Sequence, residues 1–232
     1  MKTKKHIVIF SGAGISAESG ISTFRDNGGL WDKYDVKEVA TPEAWRNNPK
    51  LVLQFYNERR KQVLESSPNA AHKALVLLEK KFEVTIITQN VDDLHERAGS
   101  KNVVHLHGEI RKSRSTYDAN LVFAIKGWEL NPGDRCPQGS QLRPHIVWFG
   151  EMVPEMTRAQ EIISTADVVI TVGTSLNVYP AAGLVHIAPK TSQLFVVDPN
   201  DVTIDDLQNV IYYKEKAGVA IPVIVKNLLE NN

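Results

Sequence analysis

The sequence predicts an α/β fold: a Rossmann-like, doubly wound parallel sheet with a smaller module added by insertions. Apolar runs such as HIVIF (6–10) and DVVITV (167–172) are continuous rather than alternating, which is typical of strands buried on both faces of a parallel sheet. Segments with helical periodicity lie between such runs, for example 49–67. Glycines follow the first run directly, in GAGISA (12–17), as they do in a strand–loop–helix unit.

The remaining elements follow from the same two patterns. Further apolar runs predict strands at 84–87, 102–107, 145–149, 193–197 and 210–213. Helical periodicity returns at 67–81, where Asn69 is a suitable N-cap, and at 154–166. Two polar, turn-rich stretches near 20–50 and 111–143 interrupt the alternation. We therefore expect one domain, 1–232, whose smaller module is formed by these two insertions.

Composition excludes several classes of protein. The chain has 232 residues, with 27 Lys and Arg against 27 Asp and Glu, so no net charge attracts nucleic acid or an anionic membrane. No window approaches the roughly 18 apolar residues of a membrane-spanning helix. A single cysteine, Cys136, excludes an intrachain disulfide and a four-thiolate zinc site. We expect a cytoplasmic monomer that binds neither nucleic acid nor membranes.

Gly12, Gly14 and Ala17 fit the G-x-G-x-x-G/A fingerprint of dinucleotide-binding proteins. A Rossmann dehydrogenase would continue with a helix, a second strand and an acidic residue about 20 positions on. Here the continuation is ESGISTFRDNGGLWDKY (18–34), which is rich in Ser, Gly and Asp and contains no strand. Dinucleotide binding is therefore favoured, whereas hydride transfer is not.

Motifs along nearly the whole chain carry a family resemblance. GAGISAESGISTFRDNGGLW (12–31) is similar to the signature of the sirtuins, which are NAD-dependent protein lysine deacylases. The similarity continues, in order, through five further motifs: TQNVDDLHERAG (88–99), HLHGEI (105–110), LRPHIVWFGE (142–151), VGTSLNVYPAAG (172–183) and VVDPN (196–200).

The resemblance implies that NAD is consumed as a co-substrate. His107 would be the catalytic base, since imidazole titrates near neutral pH, and Asn90 would help to position the ribose or water. Nicotinamide, O-acyl-ADP-ribose and free lysine would be the products. The resemblance implies these NAD-binding residues: Gly12, Ala13, Gly14, Ile15, Ala17, Glu18, Phe24, Arg25, Gln89, Asn90, Asp92, Gly173, Thr174, Ser175, Asp198, Asn200 and Ala217.

The resemblance also implies an extended peptide carrying an acylated lysine, held between HIVWFGE and NVYPAAG by strand addition. Its contacts would be Val147, Phe149 and Gly150, with Trp148 in the core. Simpler interpretations stay open at two of the motifs. The polar residues of TQNVDD (88–93) could cap a helix starting at Val91, and His105 could be only a strand residue.

Many sirtuins hold zinc with two Cys-x-x-Cys pairs in the segment after the catalytic histidine. In this chain the corresponding positions are Ser115, Asp118, Cys136 and Gly139, so one thiol remains of four. We therefore expect no structural zinc. The small module would then be held by apolar residues such as Leu121, Val122, Phe123, Ile125 and Trp128.

Tyr56 and Arg59 are three apart on a predicted helix and share one face. They match the Tyr-x-x-Arg pair of the sirtuin subgroup that removes succinyl and malonyl groups, and Ala40 matches its small residue that leaves room for the acyl group. A guanidinium and a phenol suit a carboxylate. The alternative is a surface arginine beside a half-buried tyrosine.

Other functions also stay open. They are a mono-ADP-ribosyltransferase, a deacetylase without preference for dicarboxylic acyl groups, and a non-catalytic module that binds NAD or acyl-lysine.

Overall fold

The computed structural model describes residues 4–22, 33–202, 204, 207 and 209–231. Within these ranges, six strands form one sheet in the order β3-β2-β1-β7-β8-β9, and every neighbouring pair is parallel. The strands are β1 (His6–Ser11), β2 (Glu83–Thr88), β3 (Val103–His105), β7 (Val168–Val172), β8 (Gln193–Val197) and β9 (Val210–Tyr213). The predicted fold class is confirmed.

Helices lie on both faces of this sheet and against the small module. In chain order they are α1 (Gly14–Ala17), α2 (Val36–Val39), α3 (Pro42–Asn47), α4 (Pro49–Glu65), α5 (Ala70–Leu78), α6 (Leu94–Ala98), α7 (Met156–Ile163), a 3₁₀ helix (Ala181–Ile187) and α8 (Ala217–Glu230). One buried cluster joins α5 and α8 to the sheet, and a second joins α7 and the 3₁₀ helix to the other face. The Asn69 side chain caps α5, as expected. Among the helices described, none is long and apolar enough to cross a membrane.

A separate three-stranded antiparallel sheet forms the small module. Its strands are β4 (Gly108–Ser115), β5 (Val122–Ala124) and β6 (Leu142–Ile146), with β4 in the middle. The strand predicted at 145–149 is therefore displaced toward the N-terminus and belongs to this sheet. The module begins immediately after His107, closer to the main sheet than the predicted boundary at 111. The other expected insertion, near 20–50, lies partly outside the described residues.

The predicted apolar core of the small module is largely wrong. Of the five residues named, only Ile125 is buried, while Val122 and Trp128 are 36% and 38% exposed. A three-stranded sheet has too few residues to cover a core of its own. Instead, Ile125 and Leu130 pack against Leu53 of α4, so the helix closes the module from outside.

Candidate active site

Polar residues from three predicted motifs meet at the carboxyl edge of the main sheet. The Ser11 hydroxyl, at the end of β1, donates to Thr88 Oγ1 at the end of β2 over 2.9 Å. Gln89 Nε2 donates to Thr174 Oγ1, in the loop after β7, over 3.0 Å. Carboxyl ends of parallel strands share one edge of the sheet, which is where such folds bind ligands. The structure therefore brings residues of these motifs together at one edge of the sheet.

The glycine loops after β1 and β7 are in direct main-chain contact. Gly14 donates its N–H to the Gly173 carbonyl over 2.8 Å, and Gly12 donates to the Val172 carbonyl over 3.0 Å. A Cβ atom on Gly12 would lie 2.7 Å from the Gly173 oxygen, and one on Gly14 would lie 2.7 Å from the Gly173 Cα atom. These positions therefore require glycine for loop packing, independently of any ligand.

Other residues of the first motif make contacts within the protein. The Ile15 side chain is fully buried in the core, so only its main chain can face a ligand. The Glu18 carboxylate accepts the N–H of Gly218, at the start of α8, over 2.7 Å. An acidic group beside a helix N-terminus is electrostatically favourable. Ala217 is also buried, and Ala13 and Ala17 lie at the two ends of α1.

Asn90 and Asp92 share a buried hydroxyl partner, Ser16, that the sequence did not single out. Asn90 Nδ2 donates to Ser16 Oγ over 3.2 Å, and Ser16 Oγ donates to Asp92 Oδ2 over 3.1 Å. Burial raises the pKa of Asp92, an effect partly offset by the hydrogen bonds from Leu94 and Ser16. The Leu94 N–H bonds to Asp92 Oδ1 at the start of α6, so capping applies to Asp92, although the helix begins at Leu94 and not at Val91.

His107 lies between β3 and β4 with its imidazole turned toward the same edge. Its Nδ1 atom is 3.0 Å from the Gln89 carbonyl oxygen. A carbonyl oxygen only accepts, so Nδ1 carries the proton and Nε2 keeps its lone pair. Burial lowers the pKa of His107, an effect partly offset by this hydrogen bond. The imidazole is therefore neutral at pH 7 and able to accept a proton through Nε2.

The residues expected to contact a peptide lie together beside His107. Val147 donates its N–H to the His107 carbonyl over 2.9 Å, and Phe149 donates to the Ala40 carbonyl over 3.0 Å. The Phe149 side chain is 48% exposed, and Gly150 is exposed beside it. Trp148 is buried, as expected, so successive residues of this segment alternate between core and surface.

Tyr56 is buried and Arg59 is half-buried, both on α4. Trp148 Nε1 donates to the Tyr56 hydroxyl oxygen over 3.1 Å. Burial raises the pKa of Tyr56 to about 12. The pKa of Arg59 is lowered by burial and raised, to a smaller extent, by Tyr56 and Asp92. Tyr56 is only 1% exposed, and Arg59 is half-buried with its guanidinium carbon 5.6 Å from the centre of the Phe55 ring, so Arg59 is not a fully solvated surface residue.

Most of the remaining predicted NAD contacts follow strands β7 and β8. Asp198, at the end of β8, is buried, and its Oδ1 atom accepts the N–H of the exposed Asn200 over 2.9 Å. Ser175 is half-buried in the loop after β7. Phe24 and Arg25 lie outside the described residues.

Amides, hydroxyls and a carboxylate converge on this crevice, and this donor set fits a nicotinamide ribose. Gln89 and Asn90 offer both donors and acceptors for ribose hydroxyls, and the Asp92 carboxylate could accept from a carboxamide N–H. These residues, with His107, are the ones that would hold the reactive half of NAD.

The former zinc positions do not fit a metal. Ser115 Oγ lies 2.6 Å from Ser140 Oγ, which lies 3.1 Å from Cys136 Sγ. Ser115 Oγ also accepts the N–H groups of Tyr117 and Asp118. Among the described residues, no group of three or more His, Cys, Asp or Glu could hold a metal ion. A structural zinc site would need four ligands from these two turns. In this chain hydrogen bonds join the turns instead.

Comparisons with known proteins agree with this geometry. Residues 12–180 match a family model described as "Sir2 family". An "NAD-dependent protein deacylase" from Helicobacter pylori (strain ATCC 700392 / 26695) is 52% identical over 228 residues, which is 97% of this chain and 98% of the relative. Among solved structures, a "Sir2 homolog-NAD complex" has a TM-score of 0.89 with 40% identity, covering 98% of this chain and 91% of the other. A "Sir2 bound to acetylated peptide" has a TM-score of 0.78 with 29% identity, covering 98% and 93%.

Proposed function

The chain belongs to the Sir2 family and is an NAD-dependent protein deacylase, and we propose that it prefers lysines whose acyl group ends in a carboxylate, such as succinyl and malonyl. The observation that carries the preference is the burial of Tyr56 and the half-burial of Arg59 on the same helix, α4. Acetyl-lysine would be a second, slower substrate.

A half-buried cation beside a phenol is suited to a carboxylate. The raised pKa of Tyr56 keeps its hydroxyl protonated at physiological pH. Because that oxygen accepts from Trp148, the hydroxyl proton can be donated to a ligand. Burial lowers the pKa of Arg59, but a guanidinium is not deprotonated at physiological pH, so Arg59 remains charged. Both groups would therefore meet the distal carboxylate of a succinyl chain, which acetyl lacks.

The chemistry itself is proposed to rest on His107 and the Gln89–Asp92 segment. When bound, NAD would supply an electrophilic ribose carbon for the acyl oxygen, with nicotinamide as the group that leaves that carbon. His107 Nε2 takes the proton of a ribose hydroxyl, because Nδ1 is committed to the Gln89 carbonyl. Asn90 orients the ribose or water, and its own orientation is fixed by Ser16. The lysine peptide lies beside Val147, Phe149 and Gly150, near the Ala40 carbonyl.

Arg59→Met tests the acyl preference. A hydrogen bond to a charged group contributes about 1.5–3 kcal/mol, so kcat/KM for a succinyl-lysine peptide should fall about 10- to 100-fold. Deacetylation of the same peptide sequence should change less than about threefold, because acetyl offers no carboxylate. Nicotinamide release, measured with both peptides, gives the two values.

Lys61→Met is the matched control, since it removes one cation from an exposed position of the same helix. It should leave the ratio of the two activities unchanged. Equal losses on both peptides in Arg59→Met would contradict an acyl-carboxylate role and favour a deacetylase without this preference. Radiolabel from NAD retained on protein would favour ADP-ribosyl transfer instead.

A further inference from the structure

We propose that Glu96 and His105 form a positioning pair that holds the main-chain carbonyl of Asn90 and thereby fixes the Asn90 side chain in the crevice. The pair lies beside the residues assigned to NAD and would touch neither NAD nor peptide. This inference rests on NAD-dependent deacylation, and it is independent of the acyl preference.

The two histidines of HLHG bind successive carbonyls of the same loop. His107 Nδ1 bonds to the Gln89 carbonyl over 3.0 Å, and His105 Nδ1 bonds to the Asn90 carbonyl over 2.8 Å. His105 ends β3 and His107 lies in the turn that follows it, so both imidazoles reach this loop from one short segment. His105 is therefore a strand residue whose side chain also bonds to this loop.

Glu96 contacts the other ring nitrogen of His105. Its Oε1 atom, on α6, lies 2.7 Å from His105 Nε2, and the His105 side chain is only 8% exposed. The carbonyl and the carboxylate are both acceptors, so both ring nitrogens of His105 must donate. That requirement is met only by the charged imidazolium. A neutral ring would face one of the two oxygens with a lone pair.

Asn90 is then held at three points. Its N–H donates to Thr88 Oγ1 over 3.0 Å, its carbonyl accepts from His105, and its Nδ2 donates to Ser16 Oγ over 3.2 Å. Removal of the His105 bond would free the peptide plane between Asn90 and Val91. A change of that plane redirects the side chain at the reacting centre, where small displacements have large effects on rate.

The charges around His105 favour its protonated form on balance. Burial lowers its pKa, but the hydrogen bond and charge of Glu96, the Asn90 carbonyl and the charge of Glu109 raise it, and the net shift is upward. His105 in turn influences Asp92 and His95. Lys112, which pairs with Glu109, acts on Glu96. These are the titratable groups facing the pair within the described residues.

The test compares variants of the full-length enzyme with an acyl-lysine peptide that the wild type deacylates. Glu96→Gln should lower kcat about tenfold while KM for NAD changes less than about twofold. Glu109→Gln is the matched control, since it makes the same change near His105 without a hydrogen bond to it. His105→Leu should lower kcat at least as far, and His105→Asn, which keeps a donor near the place of Nδ1, should recover most of the loss.

The pH profile gives a readout that a purely structural role would not change. Because the His105 pKa is raised, the pair is intact below that pKa and is lost as pH rises through it. Glu96→Gln should therefore move the alkaline fall of kcat to lower pH, while the acidic limb, set by His107, stays in place. The proposal is overturned if Glu96→Gln matches Glu109→Gln, or if the alkaline limb does not move. If His105→Leu does not fold, Glu96→Gln decides the question alone.

Discussion

Replacing Gly14 by alanine tests whether the glycine motif is required by the protein before it is required by NAD. The N–H of Gly14 donates to the Gly173 carbonyl over 2.8 Å, so the loops after β1 and β7 are fixed against each other. A Cβ atom on Gly14 would lie 2.7 Å from the Gly173 Cα atom and 3.0 Å from its oxygen. The atoms it would meet belong to the main chain and have no rotamer to change.

The size of the effect follows from these distances. Carbon atoms in ordinary contact are about 3.5–4.0 Å apart, so the added methyl group would overlap Gly173 by nearly an ångström. Overpacking of this kind costs about 1–3 kcal/mol. For a chain of this length each kcal/mol lowers Tm by about 2–4 °C, so Gly14→Ala should lower Tm by about 2–12 °C. KM for NAD should also rise, because the same loops border the crevice.

Gly183→Ala provides the control. Gly183 lies in the 3₁₀ helix, and a Cβ atom there would meet nothing within 4 Å. Its Tm should stay within about 1–2 °C of the wild type, since such a substitution changes stability by less than about 0.5 kcal/mol. Thermal unfolding without NAD measures both variants. If Gly14→Ala has the same Tm as Gly183→Ala but binds NAD poorly, Gly14 is required for NAD binding and not for stability.

Two further predictions concern acid and metal. Burial lowers the pKa of His72 to about 4 and that of His95 well below its ordinary value. Below pH 6.5 the unfolded chain therefore binds more protons than the folded chain. Lowering the pH from 7 to 5 should reduce the free energy of unfolding by about 2 kcal/mol per histidine. Urea unfolding at both pH values should show this loss, and His72→Phe should reduce it. Purified protein should contain far less than one equivalent of zinc, and EDTA should leave Tm unchanged; stoichiometric zinc on Cys136 would contradict the hydrogen-bonded arrangement.

The parallel sheet could be predicted because its strands are continuous apolar runs. The main failure is the strand at 145–149, where one apolar run covers two environments. Residues up to Ile146 pair with β4, whereas Phe149 leaves the sheet and donates its N–H to the Ala40 carbonyl. Ala40 lies more than a hundred positions before Phe149, and the hydropathy pattern does not predict such a long-range contact.

The same limit applies to the site. Gln89, Asn90 and His107 could be predicted to meet because they follow neighbouring parallel strands. Ser16 and Glu96 could not, because each acts on a partner that only the folded chain brings close. The closeness of His105 and His107 in HLHG was the available signal, although His107 lies in the turn after β3 and not on the strand.

Helix α4 carries both the proposed acyl-carboxylate residues and the attachment of the small module. Asn57 and Arg60 each follow one position after Tyr56 and Arg59, and both bond to the module. Arg60 is fully buried and donates to the carbonyls of Ile110 and Trp128, at 2.6 and 2.7 Å.

Asn57 holds the same module through Leu130. Its Nδ2 donates to the Leu130 carbonyl, and its Oδ1 accepts the Leu130 N–H and a bond from Arg60. A buried arginine that loses its partners is strongly destabilising. The module therefore depends on the same helix that carries the proposed acyl-carboxylate residues. The hydrogen bonds from Asn57 and Arg60 thus fix the position of the module against α4.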